Sequence, residues 1–199
     1  MKIVLVGASG DVGQAAFGEL SKRHDVIRAG RHSADVIVDI GDLGSIEAMY
    51  DTVGTFDAVV STAGNVHFAP LFEFTEATFH LGLQNKVMGQ VNLVLAGMAR
   101  ITAHGSFTLT SGVLDRDPVV SGAAAATANA ALAGFATGAA IELQRGVRIN
   151  VVSPGLLEVS EERYGGFFPG HERVSSAKVG RAFAKCVEGA ITGQVVPVG

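Results

Sequence analysis

The sequence has a single cysteine, Cys186, and no tryptophan. One cysteine excludes an intrachain disulfide and any site built from several thiolate ligands, and no metal site is predicted. Charged residues make up only 17% of the chain, and Lys and Arg form no runs. Together with a formal net charge of −4, this composition argues against nucleic acid as the main partner.

The chain also lacks a long, strongly apolar run. No charged residue occurs from Pro118 to Ile141, a length that could span a bilayer, but most of these residues are Ala, Gly, Ser, Thr or Asn. The N-terminal apolar run is too short for a signal peptide. We therefore expect a cytoplasmic protein with no membrane partner. Its 199 residues, 48% of them hydrophobic, suffice for one domain with a single core.

The sequence begins with the motif MKIVLVGASGDVG. Residues 3–6 predict a strand buried on both faces, and residues 14–22 predict a helix. Gly7, Gly10 and Gly13 lie between them with the spacing G-x-x-G-x-x-G. Such a unit can bind a diphosphate, because glycines permit close approach and the helix N-terminus offers free N–H groups. The alternative is an ordinary tight turn that binds nothing.

Further strands and helices alternate along the chain. The predicted strands are residues 25–29, 36–40, 56–61, 107–110, 147–152 and 194–198, and the predicted helices are residues 44–53, 75–99, 121–144 and 177–188. This alternation predicts an α/β fold with a Rossmann-like, doubly wound parallel sheet of about seven strands, in one domain over residues 1–199. The link of about five residues before the third strand is short for a parallel crossover. We therefore expect a short third strand or a link without a helix.

The order of these elements and their motifs resembles the short-chain dehydrogenase/reductase family over nearly the whole chain. The matching positions are the glycine turn, Asp39, Thr62-Ala63-Gly64, Asn85, Thr110-Ser111, Ser153-Pro154-Gly155 and Thr192-Gly193-Gln194. The resemblance implies a dinucleotide cofactor, with Ser111 and Asn85 as the family's catalytic Ser and Asn. The cofactor-binding residues that it implies are Gly7, Ser9, Gly10, Asp11, Val12, Gly13, Arg31, Ser33, Asp39, Ile40, Ala63, Gly64, Pro154 and Gly155.

The Tyr-x-x-x-Lys pair of that family is missing. In the family, the Tyr supplies a proton to the carbonyl oxygen and the Lys lowers the pKa of that Tyr. Alignment on the family's helix places Ala125 at the Tyr position and Asn129 at the Lys position. The two tyrosines of the chain, Tyr50 and Tyr164, have no lysine four residues later. Loss of a positioned general acid typically costs about 10²–10⁴ in rate. The chain thus resembles a divergent subgroup without the usual active-site residues.

Several other side chains near the expected site could replace the missing acid. They are His67, Asp115, Asp117, Tyr164 and His171. Solvated loop positions are favoured for the two aspartates, a surface or packed ring for His67, and a lid residue for Tyr164. Lys86 follows Asn85 but points about 100° away from it around a straight helix, so we expect a salt-bridged lysine on the surface.

The end of the second strand bears on the choice of cofactor. An NAD site favours a carboxylate there, and an NADP site favours a cation for the 2′-phosphate. The chain has Gly30-Arg31-His32-Ser33 at this place and no acid before Asp35. Arg31 and Ser33 therefore predict NADP(H) in preference to NAD(H). The alternative is a solvated arginine.

Three functions are compatible with these features. The first is an NADP(H)-dependent oxidoreductase for an unknown carbonyl or alcohol substrate, with a non-standard active site. The second is a catalytically inactive dinucleotide-binding protein that acts as a redox sensor or regulatory partner. The third is a structural dimer with an empty crevice. The resemblance also implies a homodimer or homotetramer formed through the helices at residues 75–99 and 121–144.

Overall fold

The computed structural model describes residues 1–199 and shows a parallel sheet between two layers of helices. The strands are β1 (Lys2–Val6), β2 (Asp25–Gly30), β3 (Val36–Ile37), β4 (Phe56–Ser61), β5 (Ile101–Thr110), β6 (Arg148–Pro154), β7 (Leu156–Leu157), β8 (Arg173–Val174) and β9 (Val195–Val198). Seven of them form the main sheet in the order β3-β2-β1-β4-β5-β6-β9, and β7 pairs with β8 separately. The predicted fold class is confirmed.

The helices connect the strands on both faces of the sheet. They are α1 (Asp11–Leu20), α2 (Leu43–Val53), α3 (Glu76–Gly82), α4 (Gly89–Gly97), α5 (Ala123–Ala140), α6 (Glu161–Tyr164) and α7 (Ser176–Glu188). A π-helical turn, Leu83–Met88, joins α3 to α4. None of the helices combines the length and the apolar character that crossing a membrane requires.

Two apolar cores hold these layers together. On one face, side chains of α2, α4 and α5 such as Met49, Leu93 and Leu132 pack onto the sheet. On the other face, α1 and α7 pack against each other and the sheet through residues such as Leu20 and Phe183. Residues 3–6 of β1 are at most 1% exposed, which fits a strand covered on both faces.

The sheet order places a ligand-binding crevice at the ends of β1 and β4. The chain runs outward from β1 to β3, then returns to the other side of β1 and continues from β4 to β6. Ligands of such sheets bind at the carboxyl ends of the strands where the order reverses. Gly7 follows β1 and Thr62 follows β4, so both lie at this point.

Several predicted boundaries differ from those observed. The third strand has two residues, which pair with Ala29 and Gly30, and the link before it contains no helix. The long helix predicted at residues 75–99 is instead α3, the π-helical turn and α4. The loop after Gly155 contains the two short strands β7 and β8 and the helix α6.

Candidate functional site

The glycine turn between β1 and α1 is shaped by close backbone contacts. Gly7 has a φ of 87°, and a Cβ atom on Gly13 would lie 2.1 Å from the carbonyl oxygen of Gly7. Neither position therefore tolerates a larger residue without a shift of the backbone. The N–H groups of Asp11, Val12 and Gly13 have no acceptor in the protein. The turn can therefore present them to an anionic group at the helix N-terminus.

A polar groove of about 260 Å³ runs from this turn past the ends of β2 and β3. Of the predicted cofactor-binding residues, it is lined by Gly7, Ser9, Gly10, Arg31, Asp39, Ile40, Ala63 and Gly64. Ser33 lines an adjoining cavity that shares Ser9, Gly30 and His32 with the groove. The Asp39 carboxylate accepts a hydrogen bond from the Gly41 N–H at 2.9 Å.

The charges beside this groove differ in their availability. Arg31 is exposed and has no hydrogen-bond partner or ion pair in the protein, whereas Asp35 is paired with Arg28 at 2.8 Å. The hydrogen bonds from Arg28 hold the pKa of Asp35 down at about 2. The cation at the end of β2 is therefore free for a ligand, and the next carboxylate along the chain, Asp35, is engaged elsewhere.

A second pocket, of about 280 Å³, adjoins the groove and shares Thr62, Ala63 and Gly64 with it. We call it the substrate-side pocket. Most of its wall is apolar, and it includes residues of the loop after β6 such as Leu156 and Phe168. The predicted residues that line it are Val12, Ala63, Gly64, Ser111, Ala125, Asn129, Pro154 and Gly155.

Ser111 lies at the end of β5 with its hydroxyl unsatisfied. The residue is 5% exposed, and its Oγ has no hydrogen-bond partner in the protein. The preceding residue, Thr110, is held by Gln90 of α4, whose amide both donates to the Thr110 carbonyl and accepts from the Thr110 N–H at 2.9 Å. Gln90 was missed in the sequence, although a glutamine among apolar helix residues is a signal for such a contact.

Lys86 also lines the substrate-side pocket, and its predicted position on the surface is wrong. Its Nζ donates to the Asn129 side-chain oxygen at 2.7 Å and to the Ser111 carbonyl at 3.1 Å. It forms no salt bridge, and burial lowers its pKa to about 8, a shift that the charge of Asp115 partly opposes. Asn129 completes the contact by donating from Nδ2 to the Gly112 carbonyl at 3.0 Å.

Asn85 lies elsewhere, although it was predicted to act together with Ser111. Its side-chain oxygen accepts a hydrogen bond from the Asn65 N–H at 2.9 Å, and it lines the polar groove. Asn85 and Lys86 are neighbours in the π-helical turn and face different cavities. The structure therefore brings Lys86, and not Asn85, next to Ser111.

The other candidates for a proton donor occupy varied positions. The exposed His67 packs edge-on against Phe74 with ring centroids 5.7 Å apart. Asp115 pairs with Arg116 at 3.4 Å, and Asp117 pairs with His171 at 3.2 Å. The candidates that do not line the substrate-side pocket are His67, Asp115, Asp117 and His171. Tyr164 does line it.

The loop after β6 covers the crevice and is tied to the glycine turn. The Asp11 carboxylate accepts hydrogen bonds from the Ser160 hydroxyl and from the Arg163 guanidinium. The predicted cofactor residues Asp11 and Gly13 line neither cavity. Asp11 instead holds the covering loop, and Gly13 allows the turn to close.

The two joined cavities fit a dinucleotide. The groove offers polar contacts and a free arginine, the glycine turn offers N–H groups to the diphosphate, and the apolar pocket can enclose a nicotinamide ring. The unpartnered Ser111 hydroxyl lies at that enclosed end.

Comparison with known proteins agrees with this geometry. A family model described as enoyl-(acyl carrier protein) reductase matches residues 3–185. No curated protein matches the chain. Among solved structures, the protein lin1944 from Listeria innocua is 50% identical over 100% of both chains, with a TM-score of 0.98.

Two small-chain dehydrogenases are more distant neighbours. One is 26% identical over 100% of this chain and 95% of its own, with a TM-score of 0.85. The other, solved in complex with NADPH, is 25% identical over 100% and 96%, with a TM-score of 0.87. The family model spans most of the chain, and dehydrogenases are among its structural neighbours. The chain therefore belongs to the short-chain dehydrogenase/reductase family.

Proposed function

We propose that the protein is an NADP(H)-dependent oxidoreductase that acts on a carbonyl or alcohol through a site centred on Ser111. The observation that carries this proposal is the buried, unpartnered hydroxyl of Ser111. This residue lines the substrate-side pocket, which adjoins the polar groove. A buried hydroxyl without a partner is costly for stability, and a bound substrate oxygen would satisfy it.

NADP(H) is preferred over NAD(H) because of the charges at the end of β2. Arg31 lines the groove without a partner, whereas Asp35 is paired with Arg28 and does not line the groove. The neighbour solved with NADPH has the same overall fold at 25% identity. A guanidinium is well suited to a 2′-phosphate, because it can donate two parallel hydrogen bonds.

The residues of the pocket have distinct parts in such a reaction. NADPH, when bound, supplies the hydride. The Ser111 hydroxyl donates a hydrogen bond to the substrate carbonyl oxygen and polarises the C=O bond. Leu156, Leu157 and Phe168 exclude water from the enclosed end of the pocket. Ala125, at the family's Tyr position, is 2% exposed and offers only a methyl group.

The test is turnover of a panel of aldehydes and ketones with NADPH. We expect measurable reduction of at least one compound, and Ser111→Ala should lower kcat by about 10²-fold or more. Ser106→Ala is the matched control, because Ser106 lies on β5, the strand that leads to Ser111, is also buried and also has an unpartnered hydroxyl, but lies outside the pocket. Equal losses in both variants would contradict the role of Ser111.

A redox sensor or regulatory protein is the second candidate function. Ala125 and Asn129 favour it, because neither can perform the chemistry of the family's Tyr and Lys. A sensor would bind NADPH and release it unchanged in the presence of every carbonyl of the panel. An empty structural crevice is less favoured, because no side chain fills the groove beside Gly7 and Gly10.

A further inference from the structure

Lys86 is the only charged side chain that lines the substrate-side pocket. Its ammonium group has three N–H donors, of which two are used by Asn129 and Ser111. The third has no partner in the protein. No carboxylate is paired with this cation, so its charge is not neutralised by a direct contact.

The surroundings fix the position of the Lys86 amine beside the residue whose hydroxyl the proposed reaction uses. The amine contacts the main chain of Ser111 itself, and Asn129 is fixed in turn by its bond to Gly112. On the opposite side, a Cβ atom on Gly64 would lie 2.8 Å from Cγ of Lys86, so the lysine stem packs directly on the backbone after β4. The π-helical turn sets the direction of this side chain, and such turns are frequent at functional sites.

The cation of the pocket comes from a different helical segment than the family resemblance implies. Asn129 occupies the lysine position on α5, and Lys86 comes from the π-helical turn, directly after Asn85. The pocket thus keeps one amine and one amide in mutual contact, 2.7 Å apart. The pocket lacks the phenol of the family's Tyr, because Ala125 occupies that position.

We propose that Lys86 is the proton donor of this reductase. The inference rests on the proposed function. In the step, bound NADPH would supply the hydride that forms the new C–H bond and would become NADP⁺, and the electron pair of the C=O π bond moves to oxygen. The Nζ–H bond of Lys86 breaks as the O–H bond of the alcohol forms. The neutral amine then regains a proton from solvent, and in alcohol oxidation each transfer runs in reverse.

The groups that face the amine are compatible with this role. Asp115, on the turn after β5, is the carboxylate whose charge raises the pKa of Lys86 and so partly opposes the effect of burial. Tyr164 of the covering loop is the other titratable residue of the pocket wall. On α5, Ala125 and Asn129 face the pocket and carry no charge. A lysine with a pKa of about 8 is protonated at neutral pH and can release its proton readily.

The first test measures the proton on Lys86 without turnover. In ¹³C-lysine NMR of the whole protein, the resonance absent from Lys86→Gln identifies Lys86. We expect it to titrate near pH 8, well below the other lysines, and its midpoint to shift when NADPH binds. A Lys86 that titrates with the surface lysines, or that does not respond to NADPH, would overturn the proposal.

The second test separates proton donation from a positioning role. Lys86→Gln should lower kcat for a reduced carbonyl of the panel by about 10²–10⁴-fold, with an NADPH Kd within about threefold of wild type. Lys86→Arg retains the charge but cannot release a proton at neutral pH, so it should not rescue kcat. The wild-type kcat for reduction should fall above pH 8, whereas the residual activity of Lys86→Gln should lack this fall. The exposed Lys178, changed to Gln, is the control.

The outcomes distinguish this inference from the proposed function. Normal kcat in Lys86→Gln, or rescue by Lys86→Arg, contradicts the proton donor alone and leaves the reductase intact. A wild-type protein that binds NADPH but reduces no carbonyl contradicts both. Circular dichroism of each variant verifies that the fold is retained. If Lys86→Gln does not fold, the spectrum of Lys86→Arg identifies the Lys86 resonance instead, and the NMR titration of the wild type decides.

Discussion

At the scale of single residues, the buried amine of Lys86 affects stability as well as chemistry. Its pKa falls from 10.5 to about 8, because burial disfavours the charged form. Below pH 8 the amine is protonated in both folded and unfolded protein, and the desolvation cost lowers stability. Between pH 8 and pH 10.5 the unfolded protein binds more protons than the folded protein, so stability rises with pH as the cost is lost.

This linkage predicts a pH-dependent difference between wild type and Lys86→Gln. The free energy of unfolding of wild type, minus that of the variant, should rise by on the order of 1–3 kcal/mol from pH 7 to about pH 10. Urea unfolding at several pH values measures it, and taking the difference cancels the other titrating groups. A difference that is constant over this range would show that the amine is not desolvated.

Thr62 is the residue that ties the end of β4 to the glycine turn. Its hydroxyl lies 3.0 Å from the carbonyl oxygens of both Val6 and Gly7. Thr62→Val removes this bond at nearly constant volume and should weaken NADPH binding by about 5–30-fold, which corresponds to about 1–2 kcal/mol. Thr52→Val removes a similar hydroxyl from the exposed face of α2 and should leave the NADPH Kd unchanged in a fluorescence titration.

At the scale of elements, the contact between α1 and α7 depends on a glycine. A Cβ atom on Gly180 would lie 2.6 Å from the Ala15 carbonyl oxygen and 2.9 Å from Cβ of Glu19. Alanine normally favours a helix by about 0.5–1 kcal/mol over glycine. Here we expect Gly180→Ala to lower the free energy of unfolding by about 1–3 kcal/mol, because the two helices must separate.

Gly18 of α1 provides the matched control for that substitution. It is exposed, and nothing lies within 4 Å of a Cβ atom placed on it. Gly18→Ala should therefore stabilise the protein by about 0.5–1 kcal/mol. Thermal or urea unfolding of both variants gives the comparison, and changes of the same sign would contradict the packing argument.

The elements also show what the sequence can and cannot predict. The seven-stranded parallel sheet follows from local patterns, because strands and helices alternate along the sequence, and the short link after β2 already indicates a short β3. The direction in which the Lys86 side chain points cannot be predicted from local patterns, because a π-helical turn depends on packing. The partner of Lys86, Asn129, is 43 residues away.

The covering loop is a second example of a feature fixed by distant contacts. Asp11 was predicted to contact the cofactor because it lies in the glycine turn that the family resemblance assigns to the cofactor. In the structure its carboxylate binds Arg163, which is 152 residues further along the chain. Only the folded sheet brings these two residues together, so local sequence patterns carry no signal for the contact.

At the scale of the whole molecule, we propose a homodimer or homotetramer formed by α3, α4 and α5 of each copy. Leu81 and Leu95 are 67% and 50% exposed, and small residues such as Ala131 and Gly134 face outward on α5. Small side chains permit close approach of two helices. Ala131→Arg should dissociate the oligomer without unfolding the chain, as measured by sedimentation. A wild-type monomer at micromolar concentration would contradict this proposal.

The proposed function depends on binding of a phosphorylated dinucleotide in the groove beside Arg31. The most direct measurement is a titration of wild type, Arg31→Ala and the exposed control Arg181→Ala with NADPH and NADH. We expect wild type to bind NADPH at least about 10-fold more tightly than NADH, since hydrogen bonds to a charged group contribute about 1.5–3 kcal/mol. Arg31→Ala should abolish this preference and Arg181→Ala should retain it. Equal affinity of wild type for the two dinucleotides, or binding of neither, would contradict the account.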